Sequence, residues 1–195
     1  MLVSLKSSIE RTIGRKVPDE NCEIFSNYLF EKTFDKKDIL IEAGSVCKYI
    51  YFIKEGSCYA HLEDEKGETH AIQFGIDGYW ISDLYSFFSG RKGIYTIEAL
   101  EPTKVLFLHK DNFEKACNEM PIFDRYFRIL IQNAFVSLQY RLAKTISETA
   151  ENRYTEFSTL HPDFIQRIPQ YLIASYLGIK PQSLSRTRKE ITQRK

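Results

Sequence analysis

At 195 residues, 43% apolar and 14% aromatic, the chain can bury a substantial core and is too hydrophobic to stay disordered. Its 27 basic residues are offset by 26 acidic ones, and a net charge of +1 excludes a general polyanion binder. No run approaches the roughly 20 apolar residues of a membrane span, and Met1–Glu20 lacks the apolar stretch of a secretory signal. Cys22, Cys47, Cys58 and Cys117 are scattered without C-x-x-C spacing. They read as small apolar fillers in a reducing cytoplasm, with no zinc, redox or disulfide framework.

Taken in chain order, Leu2, Leu5, Ile9 and Ile13 recur at helical spacing, and a second short helix is expected over Asp19–Phe30. From about Glu31 to His109 the pattern changes to short β runs: Ile39–Ile41, Tyr49–Lys54, Ser57–Leu62, Thr69–Phe74, Ile94–Leu100 and Lys104–His109. Turn signals such as Glu55-Gly56-Ser57, Asp64–Gly67, Asp77-Gly78 and Ser89-Gly90 separate them, which predicts an antiparallel sandwich or jelly roll. Pro121 then opens a long helix in which Phe123, Phe127, Leu130, Ala134, Leu138 and Leu142 repeat every three or four residues. Ile122, Tyr126, Ile129, Ile131 and Phe135 lie off that stripe, so its first half needs cover on two sides. The sheet domain and a second copy of the chain are the expected covers. A break near Ser147–Thr149 is the expected hinge, followed by another helix ending before His161-Pro162.

The last segment, Ile168–Lys195, reads as two helices around a glycine. Pro169 suits a helix start, Ile173 and Leu177 form an i, i+4 apolar pair, and Gly178 stops the first helix where a turn needs positive φ. Pro181 opens the second helix, with Leu184 and Ile191 on its buried side and Gln182, Ser183, Arg186 and Lys189 on the other. Thr187 falls where an aliphatic residue would face the first helix. The layout is that of a helix–turn–helix. From Gln166 onward seven basic residues (Arg167, Lys180, Arg186, Arg188, Lys189, Arg194 and Lys195) face one acid, Glu190. The tail is therefore about +6 and the rest about −5, the footprint of a phosphate-contacting face.

The order β-roll, long helix, hinge, helix–turn–helix resembles the cyclic-AMP receptor protein/FNR (Crp/Fnr) family of bacterial transcription regulators. Glu55-Gly56-Ser57, the Gly78…Asp83-Leu84…Gly90 stretch and Ala174…Leu177-Gly178-Ile179…Leu184-Ser185-Arg186 carry the resemblance. Glu151–Tyr154 followed by Arg167-Ile168-Pro169 is similar to a subgroup common in Bacteroidetes-type bacteria. The resemblance implies an α+β fold with a cyclic-nucleotide-binding-like jelly roll over 1–120, a dimerisation helix over 121–147 and a winged-helix-like DNA-binding domain over 148–195. It also implies double-stranded DNA, a second copy and RNA polymerase as partners, a small-molecule effector, and no membrane. In the recognition helix, Arg186 would read guanine and Gln182 adenine, while Pro181 offers no polar contact. Ser183, Lys189, Lys180 and Gln170 would serve the DNA backbone.

The effector positions depart from the cyclic-nucleotide binders of the family. Their Gly-Glu-Leu run becomes Ser82-Asp83-Leu84, and their phosphate-binding Arg-Ser or Arg-Thr pair falls on Gly93-Ile94. The purine-facing positions of the long helix fall on Leu138 and Gln139. A buried phosphodiester without a paired cation costs several kcal/mol or more, so cyclic AMP is not the expected effector. No cofactor is expected either: an iron–sulfur cluster needs several early cysteines, and a haem an axial ligand from His61, His70 or Cys58. Tyr79, Trp80, Tyr85, Phe87 and Phe88 offer an aromatic lining for an apolar metabolite. His61, His70, His109 and His161 include no His-x-His pair for a cupin metal, and no nucleophile or phosphate-loop pattern occurs, so no enzyme is expected. The competing function is a degenerate member that acts through protein partners, or binds an apolar metabolite, without touching DNA.

Overall fold

A computed structural model describes residues 3–193, with the side chains of residues 187 and 189–193 excepted. Two compact units partition the chain: residues 1–60 with 74–134, and residues 61–73 with 135–195.

The first unit begins with α1 (Val3–Ile13), whose Leu5, Ile9 and Ile13 are buried, and α2 (Asp19–Ser26). Eight strands follow through the chain: β1 (Leu29–Phe34), β2 (Ile39–Ile41), β3 (Tyr49–Glu55), β4 (Ser57–Glu63), β5 (Thr69–Ile76), β6 (Trp80–Ile81), β7 (Thr96–Ala99) and β8 (Thr103–His109). They form two four-stranded sheets, β1-β8-β3-β6 and β2-β7-β4-β5, an antiparallel sandwich. Between β6 and β7 lies α3 (Leu84–Ser89), and after β8 comes α4 (Lys110–Glu119). Gly56 joins β3 to β4 at φ +107°, and a Cβ there would stand 2.5 Å from Thr103 Oγ1 and 2.8 Å from the Pro102 carbonyl. Only glycine fits that turn.

Helix α5 (Pro121–Ser147) buries Phe123, Tyr126 and Phe127 in its first turns. Phe25 stacks on Phe123 at 4.0 Å between centroids. The Tyr126 hydroxyl, fully buried, accepts from Trp80 Nε1 at 2.8 Å and meets Ser8 Oγ at 3.1 Å. One phenol thus ties α1, β6 and α5 together, and its polar atom has the partners that burial demands.

The second unit holds the later turns of α5, then α6 (Ala150–Leu160), α7 (Pro162–Arg167), α8 (Gln170–Tyr176) and α9 (Pro181–Gln193). Phe157, Phe164, Leu172, Ile173, Leu177 and Leu184 form its core. The β4–β5 loop and the adjoining strand ends (residues 61–73) belong to this unit: Ser175 Oγ accepts from the Ala71 N–H at 3.0 Å and donates to the Thr69 carbonyl at 3.3 Å. In the loop Asp64 accepts from the Lys66 and Glu68 N–H groups and meets His70 Nε2, at the start of β5, at 2.8 Å, so its carboxylate is committed to the turn.

Sequence expectation and structure differ in several places. The helix expected over Asp19–Phe30 stops at Ser26, because Leu29 and Phe30 enter β1 and pair with Leu108 and Phe107 of β8. Helices α3 and α4 carry too few apolar repeats to be seen as helices. Pro169 is the N-cap of α8 and not its first helical residue, since ψ 135° is extended. Ile94 and Tyr95 precede β7 and do not belong to it.

His161 ends α6, precedes α7, and packs against Phe157 and Phe164 at 5.0 and 5.5 Å. Burial pushes its imidazole below the ordinary value of 6.5. The unfolded chain therefore takes up this proton first. The stability from a neutral His161 is complete above about pH 6.5 and falls as pH drops from there toward the folded-state value. The Glu148 carboxyl, held low by Asn152 and Lys144, adds its own loss only below its ordinary 4.5. Thermal melts between pH 7.5 and 5 should show a falling midpoint for the wild type and a flatter curve for His161→Gln. Equal slopes would assign the loss to other groups.

Candidate nucleic-acid interface and effector site

Helix α8 ends in a Schellman motif. The Ile179 N–H donates to the Ala174 carbonyl at 2.9 Å, the Gly178 N–H donates to the Ser175 carbonyl at 3.1 Å, and Gly178 has φ +64°. Helix α9 then starts at Pro181, where the missing N–H is harmless. It packs on α6 and α8 through Leu184, which is 2% exposed. This fixes the opposite face outward: Pro181, Gln182, Ser185, Arg186 and Arg188 are exposed and Ser183 is half-buried. Lys180, in the turn, is exposed as well. A guanidinium, a carboxamide and an ammonium thus share one short solvent-facing segment, donors suited to base edges and phosphates. The side chains of Thr187, Lys189 and Ile191 lie outside the described ones.

Gln170 departs from the exposed set. It is half-buried, its Nε2 donates to the Ile165 carbonyl at 3.2 Å, and its Oε1 is buried without a hydrogen bond. A phosphate contact from this amide requires it to give up Ile165. The sequence expectation treated the residue as a free arm at a helix start.

The effector positions of the first unit come together around one carboxylate. Asp83 is fully buried. Its Oδ1 accepts from the Ser86 N–H at 3.0 Å, capping α3, and its Oδ2 accepts from the N–H groups of Ile94 at 2.8 Å and Tyr95 at 3.1 Å. Three backbone donors offset the loss of water around the carboxylate. Gly93 is equally constrained: a Cβ there would lie 2.8 Å from Asp83 Oδ2 and 3.2 Å from the Ser45 carbonyl. Ser82 Oγ donates to the Tyr49 carbonyl at 2.9 Å and lies 3.4 Å from Cys47 Sγ. Leu84 begins α3. Leu138 and Gln139 belong to the second unit, where both are exposed.

Ser86, which the sequence does not single out, belongs to the same buried hydrogen-bond network. Fully buried, it donates to the Arg91 carbonyl at 2.6 Å and accepts from the Cys47 N–H at 2.8 Å. The Asp83-x-x-Ser86 spacing is an N-cap pattern that could have marked it. Of the aromatic set, Phe87 is core and Trp80 is engaged with Tyr126, whereas Tyr79, Tyr85 and Phe88 are exposed. The four cysteines are free. Burial pushes the Cys58 thiol up to about 12 and the Cys117 thiol up to about 11, which removes the thiolate that redox or metal chemistry needs.

Residues 31–120 match the cyclic nucleotide-binding domain family. The chain is 22% identical over 189 residues to the cAMP-activated global transcriptional regulator CRP of Escherichia coli, covering 89% of this chain and 88% of that protein. Among solved structures it is similar to FixK2 from Bradyrhizobium japonicum (TM-score 0.72, 16% identity, 85% of each chain). It is also similar to the c-di-GMP responsive global regulator CLP of Xanthomonas campestris (TM-score 0.69, 11% identity, 90% of this chain and 92% of that one). No described helix is long and apolar enough to cross a membrane. Residues 31–120 thus belong to the cyclic nucleotide-binding domain family, and the chain, with a helix–turn–helix after that roll, is similar in sequence and fold to regulators of the Crp/Fnr type.

Proposed function

We propose that the chain is a homodimeric, sequence-specific DNA-binding transcription regulator working in the cytoplasm, with RNA polymerase as a further partner. Residues 1–120 form its sensor domain, 121–147 its dimerisation helix and 148–195 its DNA-binding domain. The observation that carries this reading is the face of α9: Leu184 holds one side in the core and leaves Gln182 and Arg186 exposed on the other. Arg186 reads guanine, Gln182 reads adenine, and Lys180, Ser183 and Lys189 hold phosphates. Gln170 joins them only by leaving Ile165. The dimer is supported by the later turns of α5, where Phe135, Leu138, Leu142 and Ile146 recur at three- and four-residue steps and are all more than half exposed. An apolar stripe of that length has its natural cover in a second copy.

Cyclic AMP is not the effector in this reading. A cyclic phosphodiester needs a cation and free backbone donors at residues 93–95. The chain offers Gly93 and Ile94, and the Asp83 carboxylate already takes the Ile94 and Tyr95 N–H groups. A second anion would meet that carboxylate without a cation between them.

Selection from a random duplex pool by the ligand-free protein tests the reading. A two-fold symmetric motif with half-sites about 34 Å apart is the expected product, unchanged when cyclic AMP is added. Absence of any motif, with or without cell extract, would favour the protein-partner reading. Arg186→Ala should cost about 1–3 kcal/mol on the selected site and relax one base position, as measured by titration of single-base operator variants. Asp83→Ala strands up to three buried N–H groups at about 1–3 kcal/mol each before water enters. Its thermal midpoint should fall by several degrees and recover in part with acetate, which leaves the wild type unmoved. An unchanged midpoint would remove Asp83 from its structural role.

A further inference from the structure

The break after α5 was expected to be a hinge, yet one guanidinium spans it. Arg153, on α6, donates from Nη1 to the carbonyls of Glu148 at 2.7 Å and Thr145 at 3.3 Å, at the end of α5. The same group donates from Nε to the Leu177 carbonyl at 3.0 Å and from Nη2 to the Gly178 carbonyl at 3.2 Å, in the turn of the helix–turn–helix. These acceptors are carbonyls that helix ends leave unpaired, and they carry the negative ends of two helix dipoles. A cation there satisfies both ends at once. Arg141, on α5, completes the set: it donates to the Tyr176 carbonyl at 3.3 Å and lies over the Tyr176 ring at 4.4 Å. Three successive carbonyls of the turn are thereby held by two arginines. A Cβ at Gly178 would touch Thr145 Cγ2 at 3.8 Å, so the turn abuts α5 itself. Lys144 adds ion pairs to Glu148 and Glu156, and the Tyr140 hydroxyl reaches Glu156. All these groups lie in the second unit.

We propose that Arg153 is a positioning residue that sets the half-site separation the dimer reads, by fixing the turn before α9 to the end of α5. The inference rests on the dimeric DNA-binding reading above. In such a dimer the two α5 stripes meet each other, and each recognition helix is placed by its own attachment to α5. Spacing is a demanding quantity, because one added base pair turns the groove by about a tenth of a revolution. Freed from Arg153, residues 147–149 let α9 swing and a range of spacings becomes acceptable. Lysine does not replace it, since a point ammonium with three donors lacks the planar fork that spans four carbonyls.

The test uses the full chain, the selected motif, and operators whose half-sites are moved apart or together by one and two base pairs. The wild type should favour one spacing by about tenfold or more, the scale of about 1.4 kcal/mol. Arg153→Met should flatten that preference to about threefold, keep the base preferences within each half-site, and bind a single half-site as the wild type does. Arg153→Lys should recover only part of the spacing preference. An unaltered spacing preference in Arg153→Met overturns the inference, and so does an equal loss on single half-sites, which marks a folding defect. Should Arg153→Met fail to fold, Arg141→Met, which removes one bond and the ring contact, must flatten the preference in the same direction or the inference falls. Absence of any selected motif for the wild type overturns the DNA reading instead. The distance between spin labels at exposed Gln139 and Ser185 then judges the clamp alone: narrow in the wild type and broadened in Arg153→Met, or equally narrow in both and the clamp is refuted.

Discussion

A helix that is apolar nearly all round for several turns has to be enclosed, and α5 meets that requirement in two ways along its length. Its first turns are enclosed within the first unit, where Phe123, Tyr126 and Phe127 lie against Phe25, Trp80 and Phe113. The buried phenol of Tyr126, shared with Ser8 and Trp80, gives those apolar contacts one geometry. Its later turns keep the apolar stripe but lose the cover, with Ile146 79% exposed. At about 25 cal/mol per Å² of apolar surface removed from water, such a stripe favours association strongly. The dimer reading, and through it the spacing of the recognition helices, depends on this one helix.

Membership of a fold family does not by itself carry that family's ligand chemistry. The roll keeps the sheets, the glycine at the β3–β4 turn and the helix that follows β6. Residue 93 is glycine, and the buried Asp83 carboxylate stands beside it. The Ile94 and Tyr95 N–H groups are hydrogen-bonded to Asp83, so a side chain of the protein itself holds this segment.

Much of the fold was legible in the sequence because it was written in local spacing. Ile39–Ile41 matches its strand residue for residue, and Gly178 and Pro181 sit in the turn and at the helix start that their backbone preferences require. Strand β1 was hidden because its identity comes from β8, some 75 residues away, and its own residues Glu31 and Lys32 are exposed on an edge. The two networks that organise the sites were hidden for a related reason. Asp83 and Arg153 bond to backbone groups, which leave no mark in side-chain identity. The engagement of Gln170 with Ile165 was hidden because a polar residue at a helix start gives no sign of whether its amide faces water or a neighbouring carbonyl.

The close approach at Gly93 has a consequence for how this pocket can change over generations. Introducing an arginine at residue 93 brings its Cβ to 2.8 Å from Asp83 Oδ2, so the cation cannot arrive while the carboxylate remains. Removing the carboxylate first strands the donors it satisfies. Each single step is harmful on its own, so the two positions are coupled. On the proposed reading, a lineage with Asp83 in this place does not gain a cation at residue 93 by one substitution, and the filled segment works as a ratchet.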